Sequence, residues 1–276
     1  MDAATADRYS TLKEFIGSFE SALIAYSGGV DSSLVAYVTA EVLGAKALAV
    51  TSGSPSLKRS DLALSETLAR KWGMPHRVIV TDEMDNPEYR ANPVNRCFHC
   101  KTSLYEHLDE IARTEGFEVV FNGTNVDDLG DHRPGLMAAD NFDVRSPLVE
   151  TGFHKADIRT LAAHLGLDNA QKPQSACLSS RVPYGTAIDE GMLRQIERAE
   201  SALLTLGFSQ FRVRHHGDVA RLEIVPEEFE AAMLRREAIV ERVKACGYRF
   251  VALDLAGFRS GSMNEGVVQT FGLSAT

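Results

Sequence analysis

The chain predicts an α/β fold, a mostly parallel sheet covered by helices, with a second, smaller α+β domain behind it. Three observations carry this expectation. Short apolar segments alternate with helical ones through the first two thirds of the 276 residues. The first apolar segment runs directly into a glycine turn and a helix. The alternation then gives way to an α-β-β-α-β order in the last third.

Residues 22–26, 46–50, 77–80 and 119–121 read as short buried strands, and 144–148 as a fifth. Between them, 34–43, 61–72, 102–113 and 155–165 carry apolar residues three and four apart, and Gly44, Gly73, Gly116 and Gly166 follow as helix stops. In such a sheet, ligands bind at the carboxyl ends of the strands. The polar, proline-bearing stretch 168–173 and the turn 181–186 interrupt the pattern. The expected organisation is therefore 1–172 as the first domain, 173–186 as a linker bearing site residues, and 187–276 as the smaller domain. That domain reads as a helix over 189–206, strands over 211–215 and 220–225, a helix over 227–245 and a strand over 249–253. His215 and His216 read as a surface pair at a hairpin turned by Gly217, and Cys246 as a packing cysteine.

The turn itself is Ser27-Gly28-Gly29-Val30-Asp31-Ser32-Ser33. Gly28 and Gly29 lack a Cβ, so the backbone is free to take positive φ and to let a phosphate come close. The helix opening near Ser32 aims unsatisfied N–H groups at the same point. Hydroxyls of Ser27, Ser32 and Ser33 add donors, and Asp31 suits a Mg²⁺ ligand bridging to phosphate. The loop has no lysine, so it departs from the G-x-x-x-x-G-K-[ST] pattern, and it has no G-x-G-x-x-G fingerprint. ATP is the expected ligand.

This loop resembles the PP-loop of ATP pyrophosphatases, Rossmann-like enzymes that split ATP between the α- and β-phosphates and adenylate an oxygen of the substrate. Asn122–Asp128, Asp131-His-Arg-Pro-Gly135, Ser175–Thr186 and Leu253–Gly261 extend the likeness to nearly the full chain. Together these segments resemble the LarE family, sulfur transferases that build the nickel-pincer nucleotide cofactor of lactate racemase. The resemblance implies adenylation of a carboxylate of pyridinium-3,5-biscarboxylic acid mononucleotide, release of pyrophosphate, and conversion of the acyl-adenylate to a thiocarboxylate. It further implies nucleotide contacts at Gly123, Asp127 and Arg133, and a substrate-phosphate site of Ser180, Arg181, Arg212, Arg214 and Arg259. Arg212 and Arg214 lie two apart on one strand and so share a face. Glu200 and Glu223 match family positions linked to metal; surface carboxylates are the competing reading. Asp127 and Asp128 also suit a loop whose side chains bond their own backbone.

Cys97-Phe-His-Cys100 is a C-x-x-C pair, and Cys177 lies in a family segment. Three thiolates would hold a [4Fe–4S] cluster by three irons and leave the fourth open to hydrosulfide. Zinc with His99 as a fourth ligand, a redox disulfide and unlinked thiols are the other readings. Within the family, some members sacrifice the sulfur of one cysteine and others, with three cysteines, use a cluster; this chain resembles the second group. Cys177 and Asp31 are the expected catalytic residues, with Arg181 as a source of positive charge near the thiol.

Composition is that of ordinary globular material, 44% hydrophobic and 24% charged. A net charge of −9 argues against a broad nucleic-acid surface. Apolar runs fall short of a membrane span, and the start of the chain lacks the order of a signal peptide, so a cytoplasmic protein is expected. The family likeness implies a homo-oligomer, dimer-based and up to a hexamer. A cluster-dependent tRNA thiolase, an amide-forming synthetase and a redox sensor are the rival readings.

Overall fold

The computed structural model describes residues 3–129, 134–173 and 175–259. The chain divides into two compact units, Met1–Glu83 with Asn95–Ser175, and Met84–Val94 with Ala176–Thr276.

The first unit contains α1 (Ala3–Gly17), β1 (Ala22–Ala25), α2 (Val30–Leu43), β2 (Ala47–Ser52), α3 (Arg59–Lys71) and β3 (His76–Ile79). After the short helix α4 (Pro87–Arg90), which belongs to the second unit, come α5 (Arg96–Glu115), β4 (Val119–Phe121), α6 (Pro134–Asn141), α7 (Pro147–Glu150) and α8 (Lys155–His164). The four strands are parallel in the order β3-β2-β1-β4, with Leu23 of β1 level with Leu48 and Val120. β1 is apolar throughout because helices cover both its faces. Ala22 and Ile24 pack with Leu12 and Ile16 of α1, Leu34 and Val38 of α2, and Ile158 and Leu161 of α8. Leu23 points the other way, to Tyr105 and Leu108 of α5 and Ala138 and Ala139 of α6.

This strand order has a consequence for the site. The chain leaves β1 toward β3 and returns on the far side of β1 as β4, so β1 and β4 flank the topological switch point where ligands bind. The turn 27–33 follows β1 and the turn 122–128 follows β4.

The expected fifth strand does not form. Arg145 makes only an isolated parallel bridge to Phe121, through its N–H on Val120 O (2.9 Å) and its O on Asn122 N (3.0 Å). Pro147, two residues on, has no N–H to continue a ladder and instead starts α7. Helix α5 begins six residues before the expected 102, so the C-x-x-C pair lies within its first two turns. The N-terminal helix α1 was not expected, because its apolar face is narrow: only Thr5, Leu12 and Ile16 are buried.

The second unit contains α9 (Glu190–Thr205), β5 (Phe211–His216), β6 (Val219–Ile224), α10 (Phe229–Leu234), α11 (Arg236–Ala245) and β7 (Phe250–Leu253). β5 and β6 are antiparallel, β6 and β7 parallel, in the order β5-β6-β7. Ala199 and Leu203 of α9 and Ile239 and Val243 of α11 pack with Val213, Leu222 and Ile224 of the sheet, and Cys246 fills this core. His215 is not a surface residue: it is buried, with Nδ1 3.1 Å from the Tyr248 hydroxyl, and burial holds its pKa below the usual histidine value. Of the stretch expected as a linker, 173–186, residues 176–186 cluster with this unit. They are tied to 84–94 by Tyr89 Oη to Ser179 Oγ (2.7 Å), Asn92 Nδ2 to Pro183 O (2.8 Å) and Gly185 N to Asn92 O (2.9 Å).

Candidate active site

The turn after β1 is built as an anion cradle. Gly28 adopts φ +72°, and a Cβ there would meet Ser65 Cβ of α3 at 3.2 Å. Gly29 differs from the expectation of positive φ: at φ −75°, ψ 155° it is the extended N-cap of α2. Ser27 and Ser32 face one another, Oγ to Oγ 3.1 Å, and Ser32 Oγ donates to Gly29 O at 3.1 Å. Ser33 is not part of the open surface. It is wholly buried, and its Oγ accepts from Asn169 Nδ2 at 2.8 Å while the same amide donates to Gly28 O at 3.0 Å. Its hydroxyl braces the loop from beneath.

The turn after β4 closes against this one. A Cβ on Gly123 would lie 2.6 Å from Ser32 N and 2.8 Å from Ser32 Cα, so only glycine permits the approach. Asn122 Oδ1 accepts from Thr124 N (3.0 Å) and Ser146 Oγ (2.9 Å), which shapes the turn. Asn125 and Asp128 form a reciprocal cap, Asp127 N to Asn125 Oδ1 at 3.0 Å and Asn125 N to Asp128 Oδ2 at 3.1 Å. Asp127 reaches α8: its carboxylate accepts the Lys155 backbone N–H at 2.7 Å and lies 2.6 Å from His154 Nδ1. Those two partners, the Lys155 amide first, hold its carboxyl below the usual range. Asp127, expected as a nucleotide contact, fixes the start of α8. Arg133 lies outside the described residues.

The outcome is the setting of Asp31. In the first turn of α2, its carboxylate takes Asn125 Nδ2 at 3.2 Å and a short ion pair from Lys155 Nζ. The loop lacks its own lysine, and α8 supplies one from 124 residues away in sequence. Lys155 and Asn169 are the two residues that sequence reasoning missed. Lys155 opens a helix just after the Gly152-Phe-His run, but no local pattern ties it to the loop; only the packing of α8 on α2 does.

In the second unit, Arg181, Arg212 and Arg214 gather around two buried carboxylates. Arg181 is fully buried: Nε and Nη2 donate to Glu200 (2.8 and 3.1 Å), and Nη1 donates to Ala176 O (2.8 Å), Cys177 O (3.0 Å) and Ser180 Oγ (2.9 Å). Its guanidinium thus holds the Cys177 backbone. Arg214 donates to Ser180 O (2.7 Å) and Glu223 (2.8 Å), and Arg221 adds a second ion pair to Glu223 at 3.2 Å. Glu200 and Glu223 are thus not surface carboxylates: both are buried as counter-charges of an arginine group. Arg212 stands apart, with no ion pair among the described residues. It donates to Phe211 O (2.7 Å) and lies over the Phe258 ring at 4.9 Å. Burial first, then the positive charge of Arg181, pulls its pKa down to about 10. An anion bound there would relieve that cost. Arg259 is exposed, beyond the turn at Gly257, where a Cβ would meet Ile224 O at 2.9 Å.

Cys97 is exposed and Cys100 half-buried, three residues apart on one face at the start of α5; Cys177 is half-buried and caps a short 3₁₀ turn, Leu178–Arg181. None is in a disulfide, and thiolates are the donors that an iron–sulfur cluster takes. Among the described residues no three His, Cys, Asp or Glu side chains are gathered as a metal group.

Residues 21–130 match the asparagine synthase family. An uncharacterized protein of Synechocystis is 42% identical over 260 residues, 94% of this chain and 97% of its own length. The pyridinium-3,5-bisthiocarboxylic acid mononucleotide synthase of Lactiplantibacillus plantarum is 34% identical over 264 residues, 95% of this chain and 96% of its own. The chain belongs to the LarE family of ATP-dependent sulfurtransferases. An uncharacterized protein of Methanocaldococcus jannaschii extends the set at 29% identity over 86% of the chain and 90% of its own length. The fold is that of the PP-loop enzymes, as the LarE resemblance implied. Among the described residues no helix is long and apolar enough to cross a membrane.

Proposed function

We propose that this LarE-family enzyme uses ATP to adenylate a carboxylate of pyridinium-3,5-biscarboxylic acid mononucleotide and replaces the adenylate with sulfur, giving a thiocarboxylate. The observation that carries the reading is Asp31 at the N-terminus of α2, bonded by Asn125 and Lys155 beside the glycine turn. Backbone N–H groups and the hydroxyls of Ser27 and Ser32 cradle the pyrophosphate part of ATP. Asp31 would hold Mg²⁺, which when bound would neutralise phosphate charge. Lys155, the partner of Asp31, is the candidate cation for a phosphate oxygen.

A substrate carboxylate oxygen attacks the α-phosphorus, the bond to the β-phosphate oxygen breaks, and pyrophosphate leaves. The resulting acyl-adenylate has AMP as a good leaving group. A sulfur nucleophile then adds to the carbonyl and AMP departs. Arg212 is the candidate for the substrate phosphate, because it is half-buried, without an ion pair among the described residues and costly to keep charged. Arg181 and Arg214 shape that site through Ser180, whose carbonyl and hydroxyl they bond. Cys97, Cys100 and Cys177 would hold a [4Fe–4S] cluster, which when bound offers an iron to carry sulfide; a Cys177 thiolate giving up its own sulfur is the competing donor. A homo-oligomer and a cytoplasmic location complete the reading.

The test of the arginine site is Arg212→Met. It should raise the KM for the mononucleotide at least about tenfold, the worth of a charge-assisted contact, and leave the KM for ATP within about twofold. Equal effects on both constants would remove Arg212 from the substrate site.

A further inference from the structure

Asp61 stands in the first turn of α3, and its carboxylate holds two groups from one distant stretch of chain. Lys172 Nζ reaches Oδ1 at 2.8 Å and Ser175 Oγ reaches Oδ2 at 2.6 Å. Those residues lie five and two positions before Cys177. The ion pair is well shielded, with the Lys172 and Asp61 side chains 20% and 13% exposed. Burial alone would raise the Asp61 carboxyl; the bonds from Lys172 and Ser175 outweigh it and hold the group below the usual range.

One turn along the same helix, Ser65 meets Gly28 of the nucleotide loop. The stretch that Asp61 holds is also tied down upstream. Arg159 donates to Ala170 O (2.8 Å) and Lys172 O (3.1 Å), and Asn169 braces Gly28 and Ser33. A strap thus begins under the nucleotide loop and is pinned again just before the sulfur-bearing segment. Asp61 makes the last of these attachments. A helix-start acid would complement the α3 dipole without either partner, so that role does not account for two bonds to the strap.

We propose that Asp61 is a positioning residue, a latch that holds the chain entering Cys177 and so governs sulfur transfer rather than adenylation. The latch lies within the first unit, and only its effect on the reaction rests on the proposed function.

The test uses the full chain with Asp61→Asn, and Ser175→Ala and Lys172→Met as variants that cut the latch from the strap side should Asp61→Asn not fold. Hydrogen exchange in peptides covering the strap should speed at least about tenfold, while peptides from α2 keep wild-type rates. In a single turnover with ATP, Mg²⁺ and the mononucleotide, AMP should form at a rate within about twofold of wild type while thiocarboxylate per AMP falls at least about fivefold. Unaltered exchange overturns the latch, and so does a proportional fall in AMP and thiocarboxylate. Should wild-type protein release no AMP, the proposed function fails, and exchange alone decides the latch.

Discussion

Replacing Gly123 by alanine tests the contact on which the nucleotide site is built. The added methyl would sit 2.6 Å from Ser32 N and 2.8 Å from Ser32 Cα, both backbone atoms of the α2 N-terminus. Restoring an ordinary separation of about 3.5 Å from 2.6 Å requires a shift of roughly 0.9 Å. No side chain can give way in its place. The turn after β4 or the start of α2 must move, and a displacement near 1 Å in a catalytic frame costs about 100-fold in rate, or about 2.7 kcal/mol of transition-state stabilisation. Overpacking adds about 1–3 kcal/mol of destabilisation, a fall of about 2–12 °C in Tm for a unit of this size. The assay is pyrophosphate release alongside thermal melting. Gly17→Ala is the control, since a Cβ there makes only a 3.4 Å contact with a Val42 methyl. A Gly123→Ala protein with kcat/KM within about threefold of wild type and an unmoved Tm would refute the close approach of the two turns.

Three further outcomes follow from the geometry. Lys155→Met leaves Asp31 without its cation, and should lower kcat/KM for ATP by about 100-fold or more while Lys155→Arg recovers part of it, measured as AMP formation at varied ATP. Glu200→Ala strands the fully buried Arg181 and should cost about 3–5 kcal/mol by urea unfolding; pairing it with Arg181→Met should restore most of that. His215 has its pKa lowered by burial, so the unfolded chain takes up a proton first as pH falls; stability should drop below about pH 6.5, by at most about 1.4 kcal/mol per pH unit, and His215→Asn should flatten that slope in melts from pH 7.5 to 5.5.

Much of the fold was legible because local chemistry and position agree. The run Ala22-Leu-Ile-Ala entering two glycines specifies a buried strand, a turn and a helix start, and that is what forms. The 144–148 segment misleads because its apolar spacing suits a strand while Pro147 withholds the donor that pairing requires. The long helix expected over 227–245 is divided at Arg235, a break with no proline or glycine to announce it. At the site, the glycine turn and the helix start after it were readable, while the extended Gly29, the buried brace of Ser33 and the partners of the charged groups were not. Asp127, Glu200 and Arg181 have the residue types of ligands, yet each is committed to a partner far along the chain: Asp127 to His154 and Lys155, Arg181 to Glu200. Lys155 is the converse, a surface-like lysine in sequence that packing brings to Asp31. Charge pairing of this kind depends on tertiary neighbours, which periodicity does not encode.

The most direct measurement is the fate of ATP. Purified protein mixed under nitrogen with ATP, Mg²⁺ and pyridinium-3,5-biscarboxylic acid mononucleotide should yield AMP and pyrophosphate in equal amounts, with a matching gain of sulfur in the nucleotide by mass spectrometry, and Asp31→Asn should abolish all three. Release of ADP instead, or AMP formation indifferent to the mononucleotide or to Asp31, would contradict the account.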